Sequence, residues 1–264
     1  MKMLRENKSR SFANGKVYSL LTEDGYPVEV TDTFLPYYTK DAIGAKQNAL
    51  KSYDIADRTE RWMIGVSCMS GCPVGCKFCA TGQLPRWRVL SAEEIVAQVK
   101  FILEKNPEYS PANAKEFKIN YTRMGEPFLN LNAVKKAVGI IDEMFPNVHH
   151  YISTIGICES DFSWIKGNIT LQISLHSFDE EHRNWLIPLK RKMTIPELGQ
   201  IRTGSNLKTT LNMTLVDESD FDIESLQKYF DKEHFFIKLS PINPNATSDK
   251  NNISEGVIQS KNLL

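Results

Sequence analysis

Hydrophobic and polar positions alternate along this chain with two periods. A period of two runs through Lys16-Val-Tyr-Ser-Leu-Leu and returns from Val28 to Leu35, with Asp24-Gly25 between the runs. Asp-Gly between β-prone runs signals a hairpin, because such turns need positive φ. The pattern predicts a hairpin over residues 16–36, preceded by a polar tail over 1–15 and followed by a short helix over Asp41–Tyr53. From residue 60, short apolar runs alternate with segments of helical period. Strands are expected at Arg61–Cys68, Phe117–Tyr121, His150–Ile155, Ile169–His176, Thr209–Val216 and Phe235–Ser240. Helices are expected at Ser91–Lys105, Leu131–Met144, Thr194–Ile201 and Ile223–Phe230. The first helix opens on Ser91-Ala-Glu-Glu94, a capping box, ahead of apolar Ile95, Val96, Val99 and Ile102.

Strands that alternate with helices predict an α/β fold with a parallel sheet, because parallel neighbours need crossover connections. Ligands of such folds bind beyond the carboxyl ends of the strands. The unusual motifs of this sequence follow its strands, so they are expected to converge on one face. They are a cysteine loop, Gly125-Glu-Pro, Ser153-Thr-Ile-Gly156, Ser174-Leu-His176 and Ser240-Pro-Ile-Asn243. The expected organisation is a tail, hairpin and connector over 1–59, then a core over 60–264. The last residues read as the beginning of a helix, which suggests a core incomplete at its C-terminus.

Composition narrows the function classes. Thirty-two basic side chains balance 32 acidic ones, so there is no general attraction to nucleic acid or anionic membrane. No apolar run reaches the roughly 18 residues of a membrane span. Met1–Arg10 is polar and basic without an apolar segment behind it, so a cytoplasmic protein is expected. Two small basic groups, Pro85-Arg-Trp-Arg88 and Lys190-Arg-Lys192, offer phosphate contacts with Trp87 for stacking, although at zero net charge solvated charge is the favoured explanation. His149-His150 makes no metal pair, because adjacent strand residues face opposite ways.

Four of the five cysteines, Cys68, Cys72, Cys76 and Cys79, lie within twelve residues. In a reducing compartment that crowding reads as metal chemistry. Cys72-Pro-Val-Gly-Cys76-Lys-Phe-Cys79 is C-x3-C-x2-C. Three thiolates can hold three irons of a [4Fe–4S] cube and leave the fourth open to a chelating ligand. Gly71, Pro73 and Gly75 let the loop wrap tightly. The alternative is zinc with Cys68 as fourth ligand, but structural zinc favours two knuckles separated by a longer spacer.

The loop resembles the radical S-adenosylmethionine (SAM) signature, with Phe78 in its aromatic position. The resemblance implies that the open iron binds SAM. One electron, from a donor such as flavodoxin or ferredoxin, would then break the sulfonium bond and release a 5′-deoxyadenosyl radical. It extends further. Gly71-Cys-Pro-Val-Gly-Cys-Lys-Phe-Cys79, Met124-Gly-Glu-Pro-Phe-Leu-Asn-Leu-Asn132, Ser153-Thr-Ile-Gly156, Ile173-Ser-Leu-His176 and Pro241-Ile-Asn-Pro244 occur in order. Over residues 60–245 they resemble the radical SAM adenine methyltransferases of ribosomal RNA, the RlmN/Cfr type. That implies a partial (β/α)6 barrel with a small N-terminal β-hairpin appendage, and an RNA partner, ribosomal or transfer. It also implies SAM contacts at Gly125, Glu126, Ser153, Ser174, Leu175, His176 and Asn243, beside Phe78. Gly125 permits close backbone approach, Glu126 can accept from the methionyl amino group, and the hydroxyls, Asn243 and His176 suit the carboxylate and adenosine.

The sequence also departs from this family. The position of one methyl-transfer cysteine, seven residues before Cys72, is Gly65, and no cysteine follows Cys158. Cys68 is an odd offset from Gly65, so on a strand it would face the other way. Cys158 is expected to be a buried apolar thiol. A family glutamate aligns with Thr31, which leaves the neighbouring Asp32 as the candidate proton acceptor. The resemblance therefore allows RNA methylation, another radical modification of a nucleotide, peptide or metabolite, or a truncated non-catalytic relative that binds cluster or RNA.

Overall fold

The computed structural model describes residues 3–37 and 56–254. The chain divides into two compact units, Met1–Ser70 with Arg88–Tyr151, and Gly71–Trp87 with Ile152–Leu264. The helix expected at Asp41–Tyr53 and the end of the chain beyond residue 254 lie outside the described residues.

The first unit begins with three antiparallel strands, β1 (Leu4–Phe12), β2 (Gly15–Thr22) and β3 (Pro27–Leu35). The second and third form the expected hairpin, turning at Gly25 with φ +80°. The first corrects the expected tail. Residues 4–12 are polar because they form an edge strand that pairs through its backbone, and only Leu4 is buried. Strand β4 (Arg61–Gly65) lies antiparallel to β3 and parallel to β7 (Glu116–Tyr121). Between them, β5 (Met69–Ser70) and β6 (Arg88–Val89) make a separate two-stranded pair.

Helix α1 (Ala92–Lys105) opens on the expected capping box, in which Ser91 and Glu94 bond reciprocally. It buries Ile95, Val96, Val99 and Ile102 on one face. Each fully buried aliphatic side chain stabilises by about 1.5–3 kcal/mol. Helix α2 (Leu131–Met144) packs against α1. Strand β8 (Val148–Thr154) alternates buried and half-buried residues, placing His150 inside and His149 on the other face, as strand geometry predicts. His150 bonds Asp142 at 3.1 Å and Tyr121 at 3.2 Å.

The second unit contains parallel strands β9 (Ile169–Ser174), β10 (Thr209–Met213) and β11 (Phe235–Leu239), in that order. Its helices are α3 (Glu180–Leu186), α4 (Ile195–Gly199), α5 (Ile223–Tyr229) and α6 (Ala246–Lys250). The apolar pattern anticipates α4 and α5 but misses α3 and α6. Both are short and marked mainly by capping side chains: Asp179 accepts from His182 N–H, and Asn245 accepts from the Thr247 and Ser248 amides. Each parallel strand found matches an expected one to within a few residues. No described helix is long and apolar enough to cross a membrane.

Candidate functional site

The expected site residues divide between the units. In the first, residues 66–70 continue from β4 as buried extended chain, and the Gly-Glu-Pro segment is fastened to them. The Met124 carbonyl accepts from the Cys68 and Met69 amides at 3.0 and 3.1 Å, and the Cys68 thiol lies 3.6 Å from it. The Met124 amide donates to Ser67 Oγ, and Asn130 Nδ2 donates to the Cys68 and Leu90 carbonyls, both at 2.8 Å. Gly125 has φ +101°, and a Cβ there would stand 2.5 Å from the Met69 side chain and 2.9 Å from its amide. Only glycine fits that turn. Glu126 follows with its side chain buried, and its Oε1 accepts from the Phe128 amide at 3.1 Å.

Thr31 and Gly65 are cross-strand partners, so the two departures from the family pattern are neighbours. A Cβ on Gly65 would meet Thr31 Oγ1 at 2.3 Å and the Arg123 side chain at 3.0 Å. Asp32, the candidate proton acceptor, points into the core on the opposite face of β3. Its carboxylate takes Arg58 Nε at 3.1 Å and Nη2 at 2.5 Å, Trp62 Nε1 at 2.9 Å and Asn106 Nδ2 at 3.1 Å. Strand alternation separates it from Thr31, and its acceptor sites are occupied. Asp32 thus stands as a buried acceptor shared by Arg58, Trp62 and Asn106.

In the second unit, Cys72, Cys76 and Cys79 are half-buried on one loop. Gly71 and Gly75 take φ of +70° and +71°, which gives the loop its tight path. Gly82 packs on Gly75, where an added Cβ would come within 2.9 Å of the Gly75 Cα. The Lys77 amide donates to the Leu186 carbonyl at 2.9 Å. Asn251 Nδ2 donates to the Lys77 carbonyl at 2.8 Å, and Asn245 Nδ2 to the Phe78 carbonyl at 3.0 Å. The loop is thus held by the end of α3 and by the segment around α6. Cys158 is half-buried rather than buried as expected, with its amide bonded to the Arg191 carbonyl.

His176 follows β9 with φ +66°, an uncommon conformation for a side-chain-bearing residue. Its ring meets the Phe78 ring edge-on, with centroids 4.9 Å apart. Nδ1 accepts the Thr214 amide at 3.1 Å, which assigns the remaining ring proton to Nε2. Burial, reinforced by the Arg183 charge, pushes His176 down to about 3. Leu175 is fully buried, and its amide and that of His176 both reach the Asn212 carbonyl. Ser174 is half-buried, Ser153 donates to Gln172 Oε1 at 3.0 Å, and Asn243 is exposed. Phe78, His176 and the cysteine loop are therefore brought together, while Ser153 lies at the end of β8 and Asn243 beyond β11.

The depressed His176 value carries a pH prediction. Its folded pKa lies below the unfolded value of about 6.5, so its contribution is complete above that pH and declines as pH falls toward 3. From pH 6.5 to 5 the loss is about 2 kcal/mol. Burial lowers His149 and His150 as well, which adds to the same trend. Urea unfolding across this range should give a shallower pH slope for His176→Asn than for the unsubstituted chain. Equal slopes would mean that this ring titrates normally.

Two expected basic patches prove partly internal. Arg88 is paired with Asp24 and Glu94 and lies over the Tyr26 ring. Lys192 is buried against Asn184 and the Leu189 carbonyl. Trp87, Lys190 and Arg191 remain at the surface.

Among the described residues, no three His, Cys, Asp or Glu side chains converge on the coordination sphere of a single ion. A cubane makes a different demand, since each thiolate binds a different iron and the sulfurs stand apart around the cube. The donor set fits that demand: three thiols of the soft type iron–sulfur clusters take, partly exposed on one glycine-shaped loop.

Comparison with known proteins bears on the same segment. The family model described as the radical SAM superfamily matches residues 66–230. A probable dual-specificity RNA methyltransferase RlmN of Pseudothermotoga lettingae is 36% identical over 191 residues, covering 67% of this chain and 54% of that protein. The corresponding protein of Dictyoglomus turgidum is 39% identical over 142 residues, covering 50% and 39%. The chain thus spans about half the length of the curated relatives it matches, or less. A crystal structure of a radical SAM methyltransferase from Sphaerobacter thermophilus aligns with TM-score 0.68 and 26% identity, over 92% of this chain and 68% of that one. The α/β, partial-barrel fold class expected from the sequence is the one this neighbour shares.

Proposed function

Because this chain belongs to the radical SAM superfamily, we propose that Cys72, Cys76 and Cys79 hold a [4Fe–4S] cluster that cleaves SAM reductively to modify adenine in RNA. The observation that carries this reading is the cysteine loop: three half-buried thiols fastened by hydrogen bonds beside the Phe78–His176 pair. Cluster and SAM, when bound, supply one-electron cleavage of a sulfonium bond. The chain supplies everything else. Cys72, Cys76 and Cys79 would supply the thiolate ligands of the cluster, and a ligand with amino and carboxylate groups would complete it. The resemblance adds Gly125 and Glu126 as contacts of the methionyl group, Glu126 as an acceptor. His176 stays neutral at working pH and offers Nε2–H as a fixed donor, because Thr214 holds Nδ1. Ser153, Ser174, Leu175 and Asn243 complete the contacts to carboxylate and ribose. A low-potential one-electron donor is the partner required. The names of the RlmN relatives support RNA as substrate.

A second reading is radical modification without methyl transfer. It is favoured by Gly65, where Thr31 and Arg123 occupy the space a thiol-bearing side chain would need. One experiment separates the readings. Anaerobically reconstituted protein is incubated with SAM, dithionite and a ribosomal RNA fragment, and the products are analysed by mass spectrometry. Formation of 5′-deoxyadenosine with methylated adenine supports the first reading. Formation of 5′-deoxyadenosine with no methyl gain supports the second. A bound cluster without 5′-deoxyadenosine overturns both.

A further inference from the structure

Helix α3 carries Arg183, whose side chain is completely buried. Nη1 donates to the Met193 carbonyl at 2.8 Å and Nη2 to the Ile155 carbonyl at 2.9 Å. The Nε–H has no acceptor among the described residues. Lys192 is buried close by in sequence, with Asn184 and the Leu189 carbonyl as its acceptors among the described residues. Burying two cations against neutral oxygens sacrifices hydration, and the Glu180 carboxylate, although it attracts both, does not offset that burial. Such an arrangement calls for a negative charge elsewhere in the site.

The cysteine loop is a second feature able to supply it. It is tied to the end of α3 through Lys77 N–H and the Leu186 carbonyl. Pro188 lies 3.9 Å from where a Cβ on Gly75 would sit. Burial pushes Arg183 down to about 10, and the negative charges of Glu180 and Cys76 pull it back up. At that value it remains cationic at neutral pH. Burial and the Arg183 charge lower Lys192, while Glu180, Cys76 and Cys158 act on it in the opposite sense. Both cations therefore lie within electrostatic reach of the Cys76 sulfur.

We propose that Arg183 and Lys192 are positioning residues that offset the negative charge gathered at Cys76 and thereby raise the reduction potential of the cluster held there. This rests on reading Cys72, Cys76 and Cys79 as cluster ligands. Thiolate ligation leaves the site negative, and reduction adds one more electron without forming or breaking a bond. Fixed positive charge in water-poor surroundings favours the reduced state, and net charge and hydrogen bonding are the protein's levers on cluster potential. The electron comes from a low-potential one-electron donor. Tethering the Ile155 and Met193 carbonyls would be a purely structural role for Arg183. That role would change stability but not potential.

The test is a redox titration of the reconstituted full chain with dithionite and mediators, followed by electron paramagnetic resonance. Arg183→Gln is expected to lower the one-electron reduction constant about tenfold, a potential about 59 mV more negative. Lys192→Met is expected to lower it about threefold, as the more weakly placed charge. Arg183→Lys should restore most of the loss, and Lys166→Met, an exposed control, should leave the potential unmoved. Arg183→Gln and Lys192→Met clusters with unsubstituted potentials and full iron content overturn the proposal while leaving the cluster reading intact. If Arg183→Gln does not fold, Lys192→Met alone decides by the same criterion. An unsubstituted protein that takes up no iron overturns the cluster reading, and this inference with it.

Discussion

Replacing Asp32 by alanine is expected to lower the unfolding free energy by about 3–5 kcal/mol, the usual cost of removing one partner from a buried ion pair. The side chain has no solvent exposure, and Arg58, on the other side of the pair, is only 15% exposed. Removing the carboxylate strands the guanidinium over the Phe34 and Tyr109 rings and leaves Trp62 Nε1–H and Asn106 Nδ2–H without this acceptor. Adding Arg58→Met to the Asp32→Ala background should recover part of the loss, because the uncompensated charge disappears. The measurement is the urea midpoint of each variant and the double-mutant coupling between them. A midpoint close to the unsubstituted one, with 5′-deoxyadenosine formation abolished, would return Asp32 to the role of proton acceptor and defeat the structural reading.

Cys76→Ala has a different expected signature. Iron uptake, visible absorbance and 5′-deoxyadenosine formation should fall to background, because two thiolates cannot hold three corners of a cube. Stability of the metal-free protein should move by no more than about 0.5 kcal/mol, since the side chain is half-buried on a loop held by backbone and asparagine contacts. Cys68→Ala is the control. That thiol is buried against the Met124 carbonyl, so its loss should cost stability and leave iron uptake unchanged. Equal iron loss in both variants would replace the three-cysteine cluster with a four-cysteine site.

The contrast between these two residues shows what a linear reading reaches. Cysteine spacing reveals donor chemistry because the ligands sit within one loop, where sequence distance limits spatial distance. Asp32 attracted attention only through its neighbour Thr31, and the two share no face of the strand. The capping box of α1 was legible in Ser91, since its partner lies three residues away, and α4 carries another of the same spacing at Thr194. The edge strand β1 was not legible, because a strand that pairs only through its backbone needs no apolar alternation. Arg183 is not legible: in a helix capped by Asp179 and Ile187, nothing local marks it as a cation that turns inward.

By itself, the sequence determined the alternation of strands and helices, the three-thiol loop and the glycines that shape it, because each depends on residues a few positions apart. Only the tertiary structure decided that Asp32 is consumed by Arg58, Trp62 and Asn106, that Thr31 and Gly65 wall each other in, that His176 is held neutral by burial while Thr214 fixes its Nδ1, and that a helix carrying a buried arginine is bonded to the cysteine loop. Those outcomes depend on pairing, burial and charge between segments far apart in the chain. Hydrogen-bond saturation and desolvation are properties of a packed neighbourhood, which no local run of residues contains.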